Sequence, residues 1–345
     1  DNTIFDETGG GGEELSNGTG PLFMGTSSGG VARRALLQFD LSSVPAGSRF
    51  SSTLLQIHID ASETPSGTPQ RNTLLNRVTA AWGEGASFSA TGGAVALEND
   101  VTWMNRFYST TAPQAWTLEG GDFSAALSSS YGIDSITGAR GFFGPQMTGD
   151  VHAWITAPAT NFGWLLRSDE GTASTTKTLA SRENADPARR PTLTLVHATP
   201  FEKWLAQHFP THLTGQWVDP DLDGDGIVTQ LEYAFGYSPL VHNAQSGVVP
   251  AFSPPSGGSS TLSTTFLRDS VATDLTYRLE ISADLINWTA IATSIAGATA
   301  TGQNGGTVTG ETPAGGTILQ VAVSRVLTGG DAVKQFVRLV IERVP

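Results

Sequence analysis

The apolar residues of this chain come in short alternating runs, and that spacing restricts the fold more than any other feature. In Ser52–Asp60 (STLLQIHID), Leu55, Ile57 and Ile59 share one side while Leu54, Gln56 and His58 fall on the other. Successive side chains alternate across a strand, so such a run is a half-buried strand. Ala35–Asp40, Gly163–Arg167 and Thr192–Val196 read as further short strands. Clusters of Gly, Ser, Pro and Asp separate them, and the 40 glycines supply the positive-φ positions that turns need. Many short strands at this spacing predict a sandwich or a jelly roll over the first part of the chain, to about Thr199. One turn of helix is expected around Gly149–Ala157, with Val151, Trp154 and Ile155 on one side.

The texture changes at Thr199. Thr199-Pro200-Phe201-Glu202 has the form of a capping box with Pro at the first helical position. The helix it opens carries Phe201, Trp204, Leu205 and His208 on one side and must end near Pro210. A second helix is expected from Thr229 to a Gly236 stop. Residues 247–264 are rich in Pro, Ser and Gly and read as a linker. Beyond it, Leu275, Tyr277, Leu279 and Ile281 alternate with polar neighbours, and Ile318–Val326 and Phe336–Val344 supply more strands. The expected fold is therefore mainly β. A sandwich or jelly roll (1–199) is followed by a short helical joint (200–246) and an immunoglobulin-like sandwich (247–345).

Within the joint, Asp221-Leu-Asp223-Gly-Asp225-Gly226-Ile227-Val-Thr229-Gln-Leu-Glu232 fits a twelve-residue calcium loop at each diagnostic position. Calcium takes six to eight oxygens, and alternating aspartates point carboxylates into one turn. Gly226 allows the bend, the Ile227 carbonyl adds an oxygen, Thr229 contributes directly or through water, and Glu232 closes the site. Val228 is expected to pack the loop. The loop stands alone, which suits a structural Ca²⁺ clamp between β domains better than a paired sensor.

Composition excludes other classes. A net charge of −13 argues against nucleic acid, which requires a basic patch. The absence of cysteine excludes disulfide scaffolds and thiol catalysis. No run approaches the roughly 20 apolar residues of a membrane-spanning helix. A chain opening at Asp1 without an initiator Met is what a mature, processed protein would show, and equally what a chain trimmed at its start would show.

Other candidates for chemistry are weak. Gly25-Thr26-Ser27-Ser28-Gly29 matches a nucleophile-elbow string, but that string has meaning only on a strand-to-helix turn. The histidines at 58, 152, 197, 208, 212 and 242 form no zinc pattern and read as surface or capping residues. Trp82, Trp103, Trp116, Trp154 and Trp164 could stack on sugars, although a tryptophan is more often buried. Asn17-Gly-Thr19 and Asn287-Trp-Thr289 are formal N-glycosylation sequons. Ser66–Pro69 and Ser253–Thr265 are candidates for O-linked sugars.

Residues 1 to about 197 resemble the DNRLRE-domain family of secreted proteins. The resemblance lies in Asp1-Asn-Thr-Ile4, Arg33-Arg-Ala-Leu-Leu-Gln-Phe-Asp-Leu-Ser-Ser-Val-Pro45 and Asp150-Val-His-Ala-Trp154. It continues in Asn161-Phe-Gly-Trp-Leu-Leu-Arg167 and Arg190-Pro-Thr-Leu193. It implies a jelly roll without catalysis, related to carbohydrate-binding modules and sometimes polysaccharide-binding. The tail from Phe201 looks like C-terminal regions of secreted verrucomicrobial and planctomycete proteins, where such a loop leads into Leu-Glu-Tyr-Ala-Phe-Gly.

These readings lead to an extracellular, cell-surface structural protein, not an enzyme, whose partners are copies of itself joined head to tail into a filament or matrix. The alternative is a monomeric polysaccharide-binding protein.

Overall fold

In the computed structural model the described residues are 1–6, 14–64, 71–168, 170–209, 221–243, 249–253, 256–329 and 335–343. They are mainly β, with every strand pair antiparallel, and they divide into two compact units. One unit spans Asp1–His197 and the other begins at Ala198. No helix among the described residues is long and apolar enough to cross a membrane.

In the first unit, pairing runs through Phe123–Ile133, Arg71–Val78, Trp164–Arg167, Ala32–Leu37, Leu22–Thr26, Lys177–Leu179, Phe50–Ser62 and Gly138–Phe143. The alternation in Phe50–Ser62 is realised: Leu55, Ile57 and Ile59 are buried while Leu54 and Gln56 are exposed. The buried set meets Leu22, Met24, Leu37, Phe142 and Trp164 in one core. Helix α1 (Pro145–Thr156) covers that core with Met147, Val151, Trp154 and Ile155. It is longer than the single turn expected from sequence, because Pro145 opens it a turn earlier, where a missing N–H costs nothing.

In the second unit two four-stranded sheets share a core. One sheet is ordered Val249–Phe252, Ser259–Asp269, Ile318–Thr328, Gly306–Gly315. The other is ordered Thr301–Gly302, Thr289–Ile295, Leu275–Ser282, Phe336–Arg343. Within the stretch expected to be a linker leading into a strand, residues 249–252 and 259–264 are themselves strand. Val249–Phe252 pairs with Ser259–Asp269 in register from Val249 opposite Thr265 to Phe252 opposite Leu262. Its Ser and Thr residues conceal the pattern, since Ser260 and Thr264 are buried beside Leu262.

Helices α2 (Pro200–His208) and α3 (Thr229–Phe235) belong to this unit. The expected capping box is made: Thr199 Oγ1 accepts from the Glu202 N–H, and Glu202 accepts from the Thr199 N–H at 2.8 Å. Tyr233 and Ala234 of α3 lie within the sandwich core, and Phe201 and Trp204 of α2 stack around the Tyr233 ring.

Candidate metal centre

Residues 221–228 form a loop whose own carboxylates organise its backbone. Asp221 accepts the N–H groups of Gly224 and Gly226 at 3.0 Å each. Asp223 accepts from Asp225 N–H at 3.2 Å, and Asp225 accepts from Ile227 N–H at 2.7 Å. Gly226 holds φ at +88°, a region in which other residues are strained. Of the three aspartates, Asp223 and Asp225 present carboxylate oxygens within 4.8 Å of each other.

Glu232 approaches the loop from α3, near enough for the aspartate charges to act on it. Its side chain is buried at 1% exposure, hydrogen-bonded by Thr229, and its Oε1 has no partner. Asp223 Oδ2 is likewise buried and unpartnered. Burial first, and then the charges of Asp223, Asp225 and Asp221, push the Glu232 carboxyl up to about 7. Asp225 is held below the usual carboxylate range by the N–H groups of Asn243 and Ile227. Asp223 and Asp225 lie close enough to share an ion, all three aspartate charges act on Glu232, and two buried oxygens are unsatisfied, an arrangement that a divalent cation would stabilise. The donor set is oxygen-rich and the loop long enough for calcium's six to eight ligands, whereas magnesium demands a tight octahedron.

The structure thus brings Asp223 and Asp225 together, leaves Asp221 and Glu232 within electrostatic reach, and buries Thr229 at the start of α3, bonded to Glu232. Packing differs from expectation in one respect. Ile227 is the buried apolar residue and Val228 is 39% exposed, because Val228 caps α3 and turns outward. Sequence reasoning passed over His242. A nitrogen of its ring and carboxylate oxygens of Asp223 and Asp225 lie within 4.8 Å of one another. It stands outside the twelve-residue pattern, and the only local signal is the early stop at Gly236, after which the chain doubles back.

The remaining candidates have structural places. Gly25–Gly29 sits on a hairpin between paired strands, where Ser27 Oγ accepts from Val31 N–H, and is not a strand-to-helix elbow. His152 Nε2 accepts from Phe50 N–H, His58 pairs with Asp60, and the His197 and His208 rings lie on Phe50 and Trp204. The tryptophans 82, 103, 116, 154 and 164 are all buried. Asn17 is fully buried, its amide donating to the Pro21 and Ser89 carbonyls, whereas Asn287 is exposed. His212 and Ser66–Pro69 lie outside the described residues. The first unit also holds a cleft of about 1040 Å³, lined by Gln38, Phe39, Trp82, Trp154, Asn161 and Arg190 among others.

No protein-family model matches this chain, and no curated protein matches it.

Proposed function

We propose that this is a non-catalytic, calcium-stabilised structural protein of the cell exterior that assembles with copies of itself head to tail. The observation that carries the reading is the adjacency of Glu232 and Tyr233. One carries an unpartnered buried carboxylate oxygen at the loop, and the next residue fills the sandwich core. A cation held there braces a β domain. Self-association is supported by the strand Phe336–Arg343, which is the last in its sheet among the described residues and pairs there with Leu275–Ser282. An eight-residue edge without proline is a template for strand addition. The DNRLRE resemblance of the first unit belongs to the same proposal. It is supported by the structural use of its motif residues: buried Asp150 accepts from Trp164 Nε1 at 3.0 Å.

The test is light scattering and negative-stain microscopy of the full chain in calcium and in EDTA, with Val340→Lys to charge that edge strand. High-mass assemblies that shorten in EDTA and vanish with the lysine are expected. A strict monomer at high concentration in calcium would overturn assembly.

The cleft in the first unit favours a second reading, the binding of a polysaccharide. Its Gln38, Asn161 and Arg190 offer hydrogen bonds beside the Phe39 and Trp82 rings. Retardation in polysaccharide gels, abolished by Asn161→Ala with Arg190→Ala, is its expected result, and unretarded migration would dismiss it.

A further inference from the structure

The exit from α3 brings a residue from outside the loop to the cation site. Gly236 turns the chain with φ at +68°, a turn over residues 238–241 follows, and Asn243 returns to donate its backbone N–H to Asp225 Oδ2 at 2.8 Å. The Asn243 amide also donates to the Val241 carbonyl at 2.6 Å, which fixes the returning segment. His242 is carried with it, so that one imidazole nitrogen and one oxygen each from Asp223 and Asp225 lie within 4.8 Å of one another. Donors that share an ion at about 2.1–2.5 Å stand no more than about 5 Å apart, so these three can share one. The buried, unpartnered oxygens of Glu232 and Asp223 point independently to a ligand at this place.

Resting on the calcium reading above, we propose that His242 is a further ligand of the centre, and that its nitrogen tightens the site's hold on a first-row divalent transition ion of the manganese class. Calcium is hard and gains little from imidazole, whereas first-row ions accept nitrogen readily and bind mixed nitrogen–oxygen sites more tightly along the series from manganese. A loop of aspartates and one glutamate already suits Mn²⁺ as it suits Ca²⁺, and the His242 nitrogen adds a donor that strengthens binding of the first-row ion and does little for calcium.

Pulsed EPR of the full chain loaded with one equivalent of Mn²⁺ at pH 7.5 reads the ligand directly, and calorimetry with Ca²⁺ and with Mn²⁺ reads affinity. The wild type is expected to show modulation from a directly coordinated ¹⁴N, lost in His242→Ala. That variant, changed at an exposed position, should lose Mn²⁺ affinity by about tenfold or more while Ca²⁺ affinity moves by less than about threefold. Bound Mn²⁺ without coordinated ¹⁴N, or a His242→Ala protein with undiminished Mn²⁺ affinity, overturns the proposal. Retained Ca²⁺ binding in that case leaves the calcium reading standing. If the wild type binds neither ion, both readings fall.

Discussion

The Tyr277 hydroxyl donates a 2.7 Å hydrogen bond to the Ala234 carbonyl, so an interior strand of the second unit grips the helix that carries Glu232. Tyr233 adds a second tie, its hydroxyl donating to Asp274 at 2.5 Å. Loop and sandwich are therefore one cooperative body. Chelation is expected to lower the melting temperature of the whole second unit, not of the loop alone. A cation at a hundred times its Kd contributes about 2.7 kcal/mol. Near-UV circular dichroism of the tyrosines, scanned in calcium and in EDTA, checks this, and coincident melting curves would count against it.

The Gly236→Ala substitution should destabilise the second unit by about 1–3 kcal/mol. Gly236 holds φ at +68°, and an added Cβ would meet Ile318 Cδ1 at 1.8 Å. Gly257→Ala is the control: its φ of +61° carries the backbone strain, but the Cβ meets nothing within 4 Å. Urea unfolding should rank Gly236→Ala clearly below Gly257→Ala, and equal midpoints would refute the clash.

What was legible beforehand follows from how local each determinant is. The Thr199–Glu202 capping box and the Asp221–Glu232 loop are complete within a few residues, so their spacing suffices. Leu55, Ile57 and Ile59 advertise a strand because apolar and polar residues take turns. The hairpin of Val249–Phe252 with Ser259–Asp269 was hidden, because buried Ser260 and Thr264 have no apolar signature. His242 was hidden for a different reason. Its approach to Asp223 and Asp225 depends on where the chain goes after Gly236, which no pattern within the loop encodes.

Acid is expected to weaken the first unit through His152. Burial, aided by the Arg49 charge, lowers its pKa below the ordinary 6.5, and its Nε2 accepts the Phe50 N–H at 2.9 Å. The neutral ring is the one the fold uses. As pH falls, the unfolded chain takes up a proton near 6.5 before the folded one does. The contribution is thus present above that value and lost as pH falls through the lower folded pKa. Unfolding free energies of the first unit at pH 7.5 and 5 should differ, and His152→Gln should flatten the difference. An unchanged slope in that variant would exclude His152 as the cause.

Of the two sequons only Asn287 is open to modification. In a secretory host that attaches N-glycans, peptide mass spectrometry should find sugar on Asn287 and none on Asn17, whose buried amide already holds Pro21 and Ser89. A glycan on Asn17 would mean that modification precedes folding there.

Asp150 shows how a single buried charge ties a helix to a sheet. Its carboxylate, 1% exposed, accepts from Ser128 Oγ at 2.5 Å and from Trp164 Nε1 at 3.0 Å, with Arg77 3.8 Å away. These donors come from two strands flanking the core, and none can reach water once α1 is docked. Asp150→Ala would leave the buried hydroxyl and indole N–H without acceptors, each at a cost of about 1–3 kcal/mol. Trp164 packs edge-on against Trp154 of α1 at 4.6 Å, so loosening the helix should also alter tryptophan emission. Asp150→Asn keeps one acceptor oxygen and should recover part of the loss. If Asp150→Ala unfolds at the wild-type urea midpoint with unchanged emission, the carboxylate is not what holds α1 to the sheet.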